Sequence, residues 1–387
     1  MRIGIDARMY SSNFTGIGRY TAELISNLAI LSQKRPAHAF VLFMNNLEYE
    51  TFVPPAPNFS KILVNAPHYS LREQIFFPKY IRHAKIDLMH FTHFNAPIVY
   101  TAPSIVTIHD LILSYFPGKK LTKPWHRAGY HLTLSASLKH AQSIIAVSEH
   151  TKKDLVKLYN VPEKKIRVIY EAAGENFRPV SDQTQKTVRE KYHIHSPFFL
   201  YAGVWRDHKN LTGLIRAFHL LHLRSSRKTL IVITGKEKPA YPEVKQVVRE
   251  LGLTDSVIFP GLVPENDLVA LYNAAIAYVH PSFYEGFGLN ILEAFSCGTP
   301  VASSNASCLP EIAGKGNALF FDPKNISEMA DAFHKLFTDD ALRQKLREKG
   351  LLRAKQFSWK KMAEETMGVY DEIHVHTLKR PPSPSRQ

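Results

Sequence analysis

Short apolar runs that alternate with helical patterns, in two successive series, constrain this chain more than any other feature. Residues 2–6, 39–43, 61–64, 87–91, 104–109, 143–147 and 166–170 read as strands in the first series. Residues 197–202, 230–234, 257–260, 277–280, 300–303 and 318–321 read as strands in the second. Between them apolar residues recur at helical spacing, as with Tyr20, Leu24, Leu28 and Leu31, or Leu211, Leu214, Ile215, Phe218 and Leu221. Further helices are expected over 125–139, 148–158 with Ser148 as cap, 326–337, 340–355 and 358–374. Strand and helix in alternation imply a parallel sheet covered on both faces. Residues 174–197 interrupt the pattern with polar and charged side chains, which suits a hinge. The expected class is α/β, with two Rossmann-like parallel-sheet domains over 1–175 and 176–357 that face each other, a last helix over 358–374, and a basic, proline-rich tail over 375–387 expected to be disordered.

Composition narrows the function classes. The 387 residues, 45% hydrophobic and 21% charged, suffice for two cores. No apolar run reaches the ~18 residues of a spanning helix, and the start reads as a buried strand rather than a signal peptide, so a cytoplasmic protein is expected. Cys297 and Cys308 are too few for a disulfide framework or a structural zinc site. Of the net charge of +15, residues 1–175 carry +9, with 21 Lys/Arg against 12 Asp/Glu, so the first half is the more basic. Lys119, Lys120, Lys123, His126, Arg127 and His131 alternate there with Trp125 and Tyr130. That pattern suits an anionic membrane surface or a phosphorylated acceptor, with nucleic acid or a merely soluble basic surface as the other readings.

The chemistry-bearing residues cluster where strands end. Residues 278–300 run from a strand through a glycine loop into a helix, with Glu285 beside Gly286, Phe287 and Gly288, and Glu293 about one turn into the helix beyond Leu289. Bare N–H groups at such a helix start attract anions, and glycines admit a ligand to the backbone. A carboxylate beside them suits sugar or ribose hydroxyls next to a phosphate. The plain alternative is a βα turn with Glu293 solvated. The loop from Gly203 to Asn210 places Arg206 and Lys209 at another helix start, a way to add side-chain cations to a backbone anion site. Gly16 and Gly18 open a helix without completing a dinucleotide fingerprint. His109 and Asp110 end a strand, in line with Gly18 and His93, each just past a strand. In an open parallel sheet ligands bind at that end.

These motifs, Thr15-Gly-Ile-Gly-Arg-Tyr20, Val106-Thr-Ile-His-Asp-Leu111, Ala146-Val-Ser-Glu-His-Thr151, the Gly203 to Asn210 loop and Pro281 to Ala294, resemble the retaining GT-B glycosyltransferases of family four, in particular a bacterial branch rich in mannosyltransferases. The resemblance runs from Met1 to about His374. It implies a donor nucleotide sugar held mainly by the second domain and an acceptor held mainly by the first, across a cleft, with the last helix crossing back to the first domain. By the same resemblance Arg206 and Lys209 hold the donor diphosphate, Glu293 the ribose, and Glu285 with the N–H groups of Gly286 to Leu289 the transferred hexose and its phosphate. Gly18 approaches the diphosphate, His109 contacts the transferred sugar, and the base lies near Gly261 to Val263.

Charge development in the reaction agrees with those roles, since cations beside the phosphates and a carboxylate beside the sugar both favour the transition state. The chain has no Asp-x-Asp metal pair, so no metal and no cofactor are expected. The leaving phosphate takes the acceptor proton in the family's same-face mechanism, with Glu285 as covalent nucleophile the lesser alternative. Residues 169–174 depart from the relatives' Asn-Gly-Val-Asp, and Gly16 with Gly18 replaces their adjacent glycines. The expectation is hexose transfer, mannose from GDP-mannose first and a UDP-sugar second, to a glycan or lipid-linked acceptor for cell-surface polysaccharide, at the inner membrane face and without nucleic acid. The competing readings are a GT-B epimerase or phosphorylase, and a non-catalytic glycan or nucleic-acid binder.

Overall fold

The computed structural model describes residues 1–11, 15–34, 37–118, 123–225 and 227–378. The chain divides into two compact units. The first comprises Met1–Leu111, Lys123–Glu171 and the chain from Trp359; the second comprises Ala172–Ser358 and a short insertion beginning at Ile112.

The first unit carries β1 (Arg2–Asp6), β2 (Ala39–Met44), β3 (Phe59–Leu63), β4 (Leu88–Phe91), β5 (Ser104–Ile108), β6 (Ser143–Ala146) and β7 (Ile166–Val168). They form one parallel sheet in the order β3-β2-β1-β4-β5-β6-β7. β4 and β5 are buried at every position, which is why they read as largely apolar runs, with His90, Ser104 and Thr107 as the polar exceptions. Ile3 stands between Phe40 of β2 and Leu88 of β4. The Thr15–Lys34 helix buries Tyr20, Leu24 and Leu28.

The Trp359–Leu378 helix belongs to this unit and is tied in by buried polar groups as well as by packing. The Tyr370 hydroxyl bonds His90 Nδ1 at 2.6 Å, and His90 Nε2 bonds Thr107 Oγ1 at 2.8 Å. Thr107 in turn meets the Tyr20 hydroxyl at 3.0 Å. Burial drives the His90 pKa down to about 3, and His109 adds to that, so the ring is neutral and bonds as one donor and one acceptor.

The second unit carries β8 (Phe198–Ala202), β9 (Leu230–Thr234), β10 (Val257–Gly261), β11 (Ala277–His280), β12 (Val301–Ser304) and β13 (Leu319–Phe321). These are parallel too, in the order β10-β9-β8-β11-β12-β13. Phe199 faces the Leu211–Arg224 and Ile326–Thr338 helices, with its ring 4.6 Å from that of Phe333. Cys297 and Cys308 are buried thiols.

Among the described residues four helices went unforeseen in the sequence, one of them the short Ile112–Tyr115 of the second unit's insertion. Asn46–Thr51 and Leu71–His83 lie in the first unit. Asp182–Lys191 occupies the polar stretch expected to act as a hinge, correcting its reading as a lapse in structure. Ser181 caps it by accepting from Thr184 N, and Lys191 and Tyr192 both bond Asp267 at 2.6 Å. Capping and polar contacts thus hold a helix that buries Val188 alone. The expected disordered tail lies outside the described residues from 379 onward.

Candidate active site

In each sheet the strand order reverses once, between β1 and β4 in the first and between β8 and β11 in the second. Ligands of open parallel sheets bind outside the strand C-termini at such reversals. Most of the residues singled out from the sequence stand at or beside these two places, one in each unit; Val263 does not, since it follows the edge strand β10.

In the second unit, the loop after β11 brings Glu285 against Lys209 from the loop after β8. Glu285 is buried, and its Oε1 accepts from Lys209 Nζ at 2.6 Å, Ser282 Oγ at 2.6 Å and His280 Nε2 at 3.1 Å. Among the described residues Oε2 has no hydrogen-bond partner, so the carboxylate is fixed by one oxygen and presents the other. Burial opposes its charge, but the Lys209 ammonium and the His280 hydrogen bond outweigh burial and hold the pKa well below the usual carboxylate range. His280 is backed by the Tyr278 hydroxyl at 2.8 Å on Nδ1.

Gly288 ends this loop in the left-handed region, at φ 94°, and caps the Leu289–Ser296 helix. A Cβ there would come within 2.9 Å of Leu309 Cδ2, so glycine answers both backbone and packing. Gly286 and Phe287 are buried, the Phe287 ring packs edge-on to Phe357, and Leu289 is half-buried. Ile291 N already donates to the Gly288 carbonyl at 2.9 Å, and the remaining N–H groups of a first helical turn, with no intrahelical acceptor, suit an anion. Cys308 Sγ bonds the Glu285 and Phe287 carbonyls at 3.2 Å each and braces the loop from behind.

Glu293 is buried rather than solvated. Its Oε2 accepts from the Tyr272 hydroxyl and from Asn290 Nδ2, both at 3.1 Å. Arg206 is exposed beside Asp207 and Tyr241, at the edge of a hollow of about 210 Å³. Gly203 follows β8 directly, and Val263 is half-buried just past β10. Sequence reasoning missed His280 and Ser282 as partners of Glu285, although both stand in the 278–300 stretch.

In the first unit, His109 follows β5 directly, with both ring nitrogens engaged. Nδ1 meets Glu171 Oε1 at 2.9 Å and Nε2 meets the Thr92 carbonyl at 2.8 Å. Both partners are acceptors, which the imidazolium satisfies by donating twice. Burial alone would lower the pKa, but the Glu171 hydrogen bond and charge, with lesser help from Thr92 and Asp110, raise it above the ordinary value. Glu171 lies inside the 169–174 stretch that departs from the family pattern, and pairing His109 explains a carboxylate there. Asp110 is half-buried beside it.

Gly18 is buried in the first turn of its helix, where a Cβ would stand 2.0 Å from the Ser11 carbonyl oxygen. That close approach requires glycine irrespective of any ligand. Gly16 is half-buried at the same helix start.

Below this edge lies a buried charge cluster that the sequence reading passed over. Arg8 pairs with Asp6 and with Glu73, each at 2.7 Å, and stacks on the Phe77 ring at 3.7 Å. Glu73 Oε2 also accepts from Asn95 Nδ2 at 2.7 Å and from Tyr69 N at 2.8 Å. Thr92 Oγ1 donates to the Asp6 carbonyl at 2.7 Å and so bridges β1 and β4.

Comparison with known proteins agrees with this division. The family described as Glycosyltransferase Family 4 matches residues 14–172, and that described as Glycosyl transferases group 1 matches residues 184–353. An O-antigen chain mannosyltransferase B of Escherichia coli is 29% identical over 374 residues, which span 92% of this chain and 96% of that protein. A sucrose-phosphate synthase structure from Thermosynechococcus elongatus superposes with a TM-score of 0.78 at 21% identity, over 97% of this chain and 100% of the other. Anabaena HepE in complex with UDP-glucose gives 0.75 at 18% identity, over 96% and 99%. The two parallel-sheet units are those of the GT-B glycosyltransferase architecture.

Proposed function

Because the chain belongs to the glycosyltransferases, joining a family 4 region to a group 1 region, we propose that it moves a hexose from a nucleotide-diphosphate sugar to a glycan or lipid-linked acceptor, with retention at the anomeric carbon. The observation that carries this reading is Glu285, held as an anion by Lys209, His280 and Ser282 on Oε1 with Oε2 left to a ligand. An oriented carboxylate beside a transferred sugar stabilises the positive charge that develops there, at no cost of reorganisation during the reaction. Lys209, Arg206 and the start of the Leu289–Ser296 helix meet the opposite charge on the leaving diphosphate, in place of a metal ion. Buried Glu293 takes the ribose hydroxyls. His109, as imidazolium, supplies positive charge from the acceptor side, and the leaving phosphate takes the acceptor proton.

Mannose from GDP-mannose heads the donors, because the relative matching nearly the whole chain is a mannosyltransferase of O-antigen. A UDP-sugar is second, because a protein of like fold holds UDP-glucose. No helix among the described residues is long and apolar enough to cross a membrane. Docking on an anionic membrane surface fits the exposed start of the Pro124–His140 helix, where Lys123, Trp125, His126 and Arg127 all face solvent. Lys119 and Lys120 lie outside the described residues.

A thermal-shift panel of nucleotide sugars tests the assignment. GDP-mannose is expected to raise the melting temperature more than mannose 1-phosphate, and Lys209→Ala is expected to shrink the difference. A panel in which no nucleotide sugar moves the melting temperature would overturn the reading.

A further inference from the structure

The strand reversal of the first unit carries an aromatic group that the roles above leave unused. Tyr69 is 63% exposed and has φ 60°, in the left-handed region that a bulky side chain seldom occupies. The conformation is held from below. Tyr69 N donates to Glu73 Oε2, and Glu73 is itself fixed by Arg8 and Asn95. Ser70 then caps the Leu71–His83 helix by accepting from Glu73 N. Glu73, backed by the buried Arg8 guanidinium and the Asn95 amide, thus anchors one short loop, whose exposed product is an aromatic ring. Strain maintained by surrounding structure is a mark of functional positions.

The loop after β4 supplies the neighbours. The Tyr69 ring lies 6.3 Å from His93, edge-on, and 6.3 Å from Phe94, while Phe94 meets Tyr130 at 5.2 Å. His93 stacks over His109 at 6.4 Å. The two histidines differ in what they leave open. His109 has both nitrogens engaged within the protein. The half-buried His93 takes the Asn95 N–H on Nδ1 at 3.4 Å, and among the described residues its Nε2 has no partner. Burial, reinforced by His109, His68 and Arg8, holds the His93 pKa well below the ordinary histidine value, so the ring is neutral. With Nδ1 an acceptor, the proton of the neutral ring sits on Nε2.

We propose that the 67–70 and 92–95 loops form a carbohydrate subsite in which the Tyr69 ring takes the C–H face of an acceptor hexose and His93 Nε2–H donates to one of its hydroxyls. The chemistry fits a pyranose, which presents an apolar C–H face to an aromatic plane and hydroxyls around its rim. The subsite rests on the glycosyltransferase reading and gives its acceptor a place. It also moves the outward hydrogen bond of this edge from His109 to His93, with His109 acting by its charge.

Saturation-transfer NMR with methyl α-D-mannoside, methyl α-D-glucoside and methyl α-D-galactoside tests the subsite directly. The wild type is expected to saturate the ring C–H protons of at least one of the three. Tyr69→Ala is expected to weaken that binding by about five- to tenfold, the scale of one aromatic contact, while Tyr69→Phe keeps it within about twofold. His93→Ala should weaken it too, with partial recovery in His93→Gln, whose amide can donate in place of the imidazole. Unchanged melting temperatures establish that the variants fold. Hydrolysis of GDP-mannose or UDP-glucose without acceptor is expected of the wild type. If none of the three glycosides is saturated, or if Tyr69→Ala binds as the wild type does, the subsite is overturned. Absence of donor hydrolysis from the wild type strikes the glycosyltransferase reading instead, since glycoside binding reports on the subsite by itself.

Discussion

The two strand reversals use charge in opposite ways. Between β8 and β11, one cation meets one carboxylate, and the Lys209–Glu285 pair leaves Oε2 of Glu285 without a protein partner among the described residues. Between β1 and β4, Arg8 is enclosed by Asp6 and Glu73, and the remaining oxygens are taken up by Asn95 and backbone N–H groups. The first arrangement presents an oriented charge; the second spends its charges on holding loops. Buried ionic groups of the second kind contribute little net stability when complete, yet losing one partner strands the others. The difference separates residues whose replacement should unfold a unit from residues whose replacement should silence it.

Arg8→Ala is the strongest way to break this contrast, because it leaves two carboxylates buried without their cation. It is expected to cost about 3–5 kcal/mol, measured by chemical denaturation. A loss below about 1 kcal/mol would show that the cluster is not structural in the sense argued here. Glu285→Gln keeps the volume and loses the charge, so turnover should fall by roughly 100-fold with a smaller change in donor KM. A rise in donor KM with turnover kept would instead place Glu285 in ground-state binding.

The pH dependence of stability sharpens the comparison further. The folded pKa of His109 is raised above its unfolded value, so its charged pairing with Glu171 stabilises fully below the unfolded pKa and is lost as pH rises through the folded pKa. Melting curves of wild type and His109→Gln should therefore differ most in mild acid and converge toward alkaline pH. Glu285 has the opposite sign. Its lowered pKa gives stability that is present above the unfolded pKa and fades only as pH falls through the folded one. A gap between wild type and His109→Gln that widens with rising pH would contradict the assigned imidazolium.

Much of the fold was legible because parallel strands buried on both faces leave runs such as 104–108 and 230–234. The Leu71–His83 helix escaped notice because Pro78 interrupts it and Leu71, Ile75 and Phe76 are exposed. A Ser70-x-x-Glu73 capping pattern was the available signal. Asp182–Lys191 escaped because a helix that buries Val188 alone has no apolar period to detect. The site was half legible. Glu285 and Lys209 could be read from glycine turns at helix starts, but their pairing across two loops depends on strand order, which the sequence does not spell out. His93 was noted only for its place after a strand and Glu171 was passed over, because a lone polar residue after a strand resembles any turn; the pairing of β4 with β5 sets His93 about His109, and the chain leaving β7 sets Glu171 there.

Donor affinity measured side by side in the two units tests the central claim most directly. Isothermal titration of GDP-mannose and UDP-glucose into wild type, Lys209→Ala and His109→Gln should show, for the donor that binds, affinity about tenfold weaker in Lys209→Ala and little changed in His109→Gln. Donor affinity kept in Lys209→Ala and lost in His109→Gln would contradict the assignment of the donor to the second unit.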